Sequence, residues 1–256
     1  MTTQKEKAEL FASLHKKGDP VVLYNIWDAG SAKAAADAGA KAIATGSWSI
    51  AAANGYADAE EIPLERVIWN IERIASSVDL PVSIDFEGGY GVSPDKLREN
   101  VSRVIDAGAI GINFEDQVVG GEGLYSIEQQ SARISAIRNA ADEKGIPLFI
   151  NARTDVFLKN LPADDTHELV GEAIDRAVAY AEAGASGFFA PGLRNAELIK
   201  ILCERSPLPV NIFVIPGVPS NQEMADLGVA RISYGPGPYR QMIDALRTAA
   251  SSIYSV

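Results

Sequence analysis

One phrase recurs four times along the chain: ADAGAKAIATG (36–46), IDAGAIGINFED (105–116), AEAGASGFFAPG (181–192) and ADLGVARISYG (225–235). Each copy is a helical tail, a glycine, and a short apolar run ending in small or polar residues. Gly39, Gly108, Gly184 and Gly228 stand where a helix needs a left-handed residue to stop. The runs after them have the length and bounding of buried parallel strands. Four further segments read as strands without the phrase: 21–27, 82–87, 148–155 and 210–217, with Pro20, Pro81 and Pro209 ahead of the first, second and fourth. Amphipathic stretches fall between them, at 29–38, 62–77, 94–106, 126–144, 167–183, 194–205, 220–227 and 237–253, with an extra helix at 5–16 ahead of the first strand. Asp28, Ser93 before Pro94, and Ser126 with Gln129 read as helix starts.

Eight strands each followed by a helix predict a (β/α)8 barrel, the TIM-barrel architecture, as one domain over 1–256 with a short N-terminal helix. An open doubly wound sheet stays possible, but no G-x-G-x-x-G follows the first strand. The 256 residues suit one barrel, and a chain this long needs no staple to fold. A single cysteine, Cys203, excludes a disulfide framework and suits a reducing compartment. A net charge of −11 argues against nucleic acid and anionic membranes. With a polar N-terminus and no membrane-length apolar run, the expectation is a cytoplasmic protein.

In such a barrel, chemistry belongs at the C-terminal ends of the strands. In the third strand the period of two sends Ile84 and Phe86 toward the helices, and Asp85 and Glu87 inward. In the fourth, Ile112 and Phe114 face out, Asn113 and Glu115 in. The fifth places Asn151, Arg153 and Asp155 on one face. Three inward carboxylates repel unless something positive joins them. Oxygen-only ligands favour Mg²⁺ or Mn²⁺ over Zn²⁺, and Arg153 can clamp a carboxylate or phosphate. The competing reading is a buried ion-pair network of Arg153 with Glu115 or Asp155. Thr45-Gly46-Ser47-Trp48-Ser49 ends the second strand with hydroxyls and free amides suited to an anion. Gly88-Gly89-Tyr90-Gly91 is a loop whose backbone can approach a ligand. His15 and His167 lie in or beside helices, so neither a Ser-His-Asp triad nor a histidine metal site can be built. Cys203 reads as core filler and Asp28 as a helix cap. The turn at Gly235-Pro236-Gly237 reads as plain.

The motifs TGS (45–47), Asp58, DFEGGYG (85–91), INFED (112–116) and NARTD (151–155) together make the chain resemble the isocitrate lyase/phosphoenolpyruvate mutase superfamily over about residues 20–240. The resemblance implies a (β/α)8 barrel, often with its last helix exchanged between subunits of a homodimer or homotetramer. It also implies Mg²⁺ and a small α-oxo or α-hydroxy carboxylate substrate. Asp85 is similar to the direct metal ligand, with Glu87 and Glu115 as acidic partners acting partly through water. Thr45, Gly46 and Ser47 resemble the turn that receives the substrate carboxylate, and Arg153 the arginine opposite. Asp58 resembles the acid near the reacting centre and Asn211 a further polar contact; Glu115 and Arg153 join Asp58 in the catalytic set.

This sequence departs from that pattern. The loop cysteine of the lyases, in K-[KR]-C-G-H, is absent: the region reads Gln117-Val118-Val119-Gly120-Gly121-Glu122-Gly123-Leu124. No lysine occurs between Lys96 and Lys144. The sixth strand ends Ala190-Pro191-Gly192 where the lyases carry a glutamate. The expectation is a Mg²⁺-dependent lyase that cleaves a C–C bond of a small 2-oxo or 2-hydroxy (di)carboxylate through an enolate. Decarboxylation is favoured by elimination, with Asp58 or Tyr90 handling the proton. The alternatives are C–P chemistry of the phosphonomutase or phosphonopyruvate hydrolase kind, and a barrel that binds an oxo-acid without turning it over.

Overall fold

A computed structural model describes residues 2–161 and 165–255. Along the chain run α1 (Gln4–Ser13), β1 (Val21–Leu23), α2 (Ala29–Asp37), β2 (Ile43–Ala44), α3 (Ser47–Ala53), α4 (Leu64–Ser77), β3 (Val82–Asp85), α5 (Pro94–Asp106) and β4 (Gly111–Glu115). They continue through α6 (Ile127–Glu143), β5 (Phe149–Arg153), α7 (Val156–Asn160), α8 (His167–Glu182), β6 (Gly187–Phe189), α9 (Ala196–Arg205), β7 (Val210–Phe213), α10 (Asn221–Asp226), β8 (Arg231–Ser233) and α11 (Gly237–Tyr254). The strands pair in parallel in the order β1-β8-β7-β6-β5-β4-β3-β2. A parallel bridge between Ile26 and Thr45 joins the two ends. This is the (β/α)8 barrel, and it excludes the open doubly wound sheet.

The recurring glycines do what the phrase demands. Gly39, Gly108, Gly184 and Gly228 all have φ between +91° and +102°, the region an L side chain rarely enters. The helix starts follow the polar signals. Asp28 caps α2, Ser93 caps α5 with Pro94 in its first turn, and Ser126 forms a reciprocal box with Gln129. Each such cap is worth about 1 kcal/mol. Two short helices differ from the sequence reading. Ser47–Ala53 is helical where an open turn was expected, and α7 interrupts the connection after β5. Gly46 therefore serves as an N-cap, with the amides behind it opening a helix.

The register stacks the inward side chains in layers. Asn113 lies beside Asn151, and Asn211 beside Arg231. Above them Glu115 lies beside Arg153, and Phe213 beside Ser233. The floor is apolar. Phe11 of α1 is fully buried, packs edge-on against Phe149 at 5.3 Å, and shares a cluster with Val21, Leu23, Ala44 and Ile110. His15 stacks on Phe149 at 4.0 Å and donates from Nδ1 to Phe11 O at 2.8 Å. Burying Phe11 alone stabilises the fold by about 2–3 kcal/mol. Outside the barrel, Ile84, Phe86, Ile112 and Phe114 join the layer under the helices, as their alternation requires. Cys203 is buried there too.

The last helix is the exception to this packing. Of α11 only Pro238 is buried, while Leu246, Ile253 and Tyr254 are 60 to 86% exposed. Its first turn is held by Tyr239, whose ring meets Trp27 at 5.0 Å and Trp48 at 5.9 Å.

Candidate active site

A cavity of about 190 Å³ opens at the C-terminal ends of the strands. Gly46, Ser47, Asp58, Asp85 and Arg153 all line it, although they come from four separate segments. Thr45, Glu87, Glu115 and Asn211 are not part of that lining. Each is buried behind it, so for direct substrate contact Thr45 and Asn211 depart from expectation. Thr45 Oγ1 instead accepts the Asp85 N–H at 2.9 Å. Asn211 Oδ1 accepts from the Ser233 hydroxyl at 3.2 Å.

Asp85 is the pivot. The Ser47 backbone N–H and hydroxyl both donate to its Oδ2, at 3.2 and 2.9 Å. Its Oδ1 is buried and has no hydrogen-bond partner, an expensive state for a carboxylate oxygen. Glu87 is buried behind the lining. Its backbone sits at φ +50°, and its carboxylate accepts from Glu60 N at 2.9 Å and from the Tyr90 hydroxyl at 3.3 Å. Glu115 is drawn to Arg153 Nη1 at 2.9 Å. Among the described residues no three acidic, histidine or cysteine side chains come close enough to cage an ion. Of the expected metal set Asp85, Glu87 and Glu115, only Asp85 therefore offers an unpartnered carboxylate oxygen, with the other two acids buried behind the lining. That arrangement still fits Mg²⁺, which keeps several waters and takes one or two carboxylates plus substrate oxygens.

The ion-pair reading of Arg153 is also realised. Its Nε and Nη2 reach the two oxygens of Asp155 at 2.6 and 2.9 Å while Nη1 faces Glu115. Burial alone would lower its pKa, but Glu115 and Asp155 hold it well above the ordinary value. It is thus a fixed cation at the cavity wall. The acids around it move the other way. Burial raises Asp58, reinforced by the charge of Asp85. Burial, then Asp85 and Asp58, push Glu87 up to about 8. Burial also raises Glu115, and Arg153 offsets this only in part. A cation at Asp85 would relieve the repulsion each of these acids feels.

Backbone strain collects at the same place. Ala59, Glu60, Glu87 and Tyr90 are the four non-glycine residues with positive φ among the described residues, each costing on the order of 1 kcal/mol. They face one another across two loops. Glu60 Oε1 accepts from Tyr90 N at 2.8 Å, opposite the bond from Glu60 N to Glu87. Arg133 holds the glycine loop from below, donating to Gly88 O at 2.6 Å with its guanidinium 4.1 Å from the Tyr125 ring centroid. The loop 117–124 closes on itself through the bridge between Gln117 and Leu124. Val119 packs onto Gly88 so closely that a Cβ there would lie 2.8 Å from its methyl.

Three functional elements escaped the sequence reading. Asp116 is fully buried and accepts from Tyr180 Oη at 2.9 Å, Arg176 Nη1 at 3.1 Å and Asp155 N at 3.0 Å. It thereby positions the residue that holds Arg153. Arg231 is a buried cation inside the barrel, its pKa lowered by burial to about 9. Arg231 and Asn151 both donate to Asn113 Oδ1, at 3.1 and 2.9 Å. Asn113 lines the cavity, so with its oxygen occupied it can offer a ligand only its N–H₂. The third is the aromatic part of the lining, Trp48, Phe189 and Phe213. Alternation in ARISYG and VNIF places Arg231 and Phe213 inward, a signal that was there to be read.

The sequence profile of the phosphoenolpyruvate phosphomutase family matches residues 11–254. A phosphonomutase candidate from Burkholderia cenocepacia J2315 superposes with a TM-score of 0.95 at 47% identity, covering 99% of this chain and 100% of the other. The 2-methylisocitrate lyase of Escherichia coli is 29% identical, over 96% of this chain and 82% of its own. The structure of a phosphonopyruvate hydrolase with oxalate and Mg²⁺ has a TM-score of 0.84 at 22% identity, covering 97% and 87% of the two chains. At that identity the likeness is one of fold.

Proposed function

The chain belongs to the phosphoenolpyruvate phosphomutase family, and from that premise we propose that it is a Mg²⁺-dependent enzyme cleaving a C–C bond of a small 2-oxo or 2-hydroxy carboxylate through an enolate. The observation that carries the reading is Asp85 Oδ1, a buried carboxylate oxygen without a partner beside a cavity that also holds Arg153. Asp85 would hold the ion directly, with Glu87 and Glu115 acting on its water shell. Mn²⁺ would serve in its place. Once bound, the ion would supply Lewis-acid stabilisation of negative charge beside the carbonyl.

The chain's own residues do the rest. Arg153, fixed by two carboxylates, presents donors to the substrate carboxylate or the developing enolate without reorganising. Gly46 and Ser47 line the opposite side, the Gly46 N–H donating to Ile26 O and the Ser47 N–H and hydroxyl orienting Asp85. Asn113 donates from within the cavity lining. Asp58, with its proton affinity raised by burial, is placed to hold or deliver a proton at the departing carbon. Decarboxylation asks least of this set, because CO₂ leaves without an acid from the loop. The C–P alternative would need positive charge on a phosphoryl group, and the loop 117–124 supplies none. The tail of α11, exposed beyond its first turn, supports a homodimer or homotetramer with that helix laid on a partner. A cytoplasmic location belongs to the same proposal; no described helix is long and apolar enough to cross a membrane.

The test is a turnover screen of oxaloacetate and substituted malates with Mg²⁺. The expected result is EDTA-sensitive cleavage well above the buffer rate. Release of phosphate from phosphonopyruvate would favour the C–P reading. Stabilisation by oxalate and Mg²⁺ with no turnover at all would leave a binding barrel.

A further inference from the structure

Arg231 is among the largest side chains that the barrel buries completely. It starts on β8, and its Nη2 ends on Asn113 of β4 at 3.1 Å. Those strands are four places apart in the closed order of eight, so the side chain crosses the barrel. On the way its Nε donates to Ser233 Oγ at 3.3 Å, and that hydroxyl donates in turn to Asn211 Oδ1 at 3.2 Å. Asn113 and Ser233 both line the cavity. One buried guanidinium thus holds two pieces of the wall.

The orientation of Asn113 follows from donor chemistry. A guanidinium only donates, so the atom it meets is the amide oxygen. Asn151 Nδ2 donates to the same oxygen at 2.9 Å, which occupies both of its lone pairs. The N–H₂ is what remains for a ligand. Asn113 is the register neighbour of Asp85, and both line the cavity.

The charge of Arg231 has no matching acid in contact with it. Both bonds of the guanidinium go to neutral oxygens, and among the described residues its Nη1 has no partner. The Phe11 ring centroid lies 5.9 Å away. The opposing charge that acts on it is that of Asp85. A cation buried in this way costs stability that an apolar side chain of similar volume would not. Folding alone does not account for it.

We infer that Arg231 is a positioning residue of this site: it locks the Asn113 amide with its N–H₂ toward the cavity and backs that donor with a buried positive charge, so that an oxygen carrying negative charge on the ligand is held there. The inference rests on the proposed oxo-acid site and adds a second anion-reading group to the one Arg153 supplies. The same charge acts with the opposite sign on a metal ion, which it repels. Those two signs separate this role from a structural one.

The experiment compares the unaltered protein with Arg231→Met by calorimetry, first with Mg²⁺ alone and then with oxalate at saturating Mg²⁺, and by thermal unfolding. Oxalate should bind the variant at least about tenfold more weakly, the worth of a hydrogen bond to a charged group. Mg²⁺ alone should bind it at least as tightly, because a like charge is gone. Its melting temperature should hold or rise, because a buried cation without a carboxylate is gone. Loss of Mg²⁺ and oxalate binding together with a fall in melting temperature would overturn the inference, as would an undiminished oxalate affinity. Should Arg231→Met not fold, Asn113→Asp decides. It keeps the shape, gives Arg231 a carboxylate and turns an acceptor toward the ligand. Oxalate should then bind at least about a hundredfold more weakly, with the melting temperature held or raised. Unchanged oxalate binding in Asn113→Asp would overturn the inference. Failure of oxalate to bind the unaltered protein with Mg²⁺ is a different result: it refutes the oxo-acid site, and this role for Arg231 falls with it.

Discussion

The two ends of the barrel obey opposite rules. At the floor, Phe11, Phe149, Val21 and Leu23 fill space with apolar surface, and the one polar ring, His15, is stacked and bonded through Nδ1, its Nε2 alone lacking a partner. At the mouth, four side-chain-bearing residues sit at positive φ, a carboxylate oxygen lacks a partner, and three acids are held above their ordinary pKa. The floor is what folding alone would select. The mouth holds strain and charge that folding alone would remove, and the difference locates the chemistry.

Substitutions at the two ends should therefore separate activity from stability. Asp85→Ala should lower turnover roughly a thousandfold, as expected for losing several kcal/mol of transition-state stabilisation. Its melting temperature should hold or rise, because a buried oxygen without a partner is gone and with it the repulsion on Asp58 and Glu87. Phe11→Ala should do the reverse, costing about 3–5 kcal/mol in denaturant unfolding and leaving kcat within about twofold. Asp116→Asn sits between the ends. It should cost about 2 kcal/mol through its bonds to Arg176 and Tyr180, and also raise KM because Asp155 and Arg153 lose their support. Equal loss of kcat in the floor and mouth variants would erase the distinction.

The smallest effect is a pH dependence of the floor. Burial, followed by the charge of Arg231, lowers His15 to about 3. The native ring is thus neutral, and the unfolded chain binds a proton below its ordinary 6.5 while the folded chain does not. Stability contributed by the neutral ring is complete above that value and falls as pH drops through the window from 6.5 toward 3. Between pH 7 and 5 the loss should be roughly 1–2 kcal/mol, and His15→Phe should flatten the unfolding curve over that interval by the same amount. An unchanged slope in the variant would place the ring in solvent.

Much of the mouth could be read from the chain because it follows simple periods. Asp85, Asn113, Glu115 and Arg153 face inward by alternation along strands whose ends the glycine phrase marks. What alternation cannot reach is the turn after a strand. Glu87 lies beyond β3 at φ +50°, and that single torsion hands its carboxylate to Glu60 rather than to the cavity. Glu60 itself sits in a loop with no periodic signal. The Asp116, Arg176 and Tyr180 group joins residues 60 and 64 positions apart, a pairing only the closed fold creates. The inward Arg231 and Phe213 were legible by the same alternation that exposed Asp85. An inward cation or aromatic ring carries no metal-ligand pattern of its own, so alternation places it without marking it as part of the site.

What Asp85 binds decides the chemistry of the mouth. Titration calorimetry of oxalate into the protein, with and without Mg²⁺, and into Asp85→Ala, puts the question directly. Oxalate should bind the unaltered protein only when Mg²⁺ is present, and should not bind the variant under either condition. Oxalate binding of equal strength without the ion, or undiminished in Asp85→Ala, would contradict it.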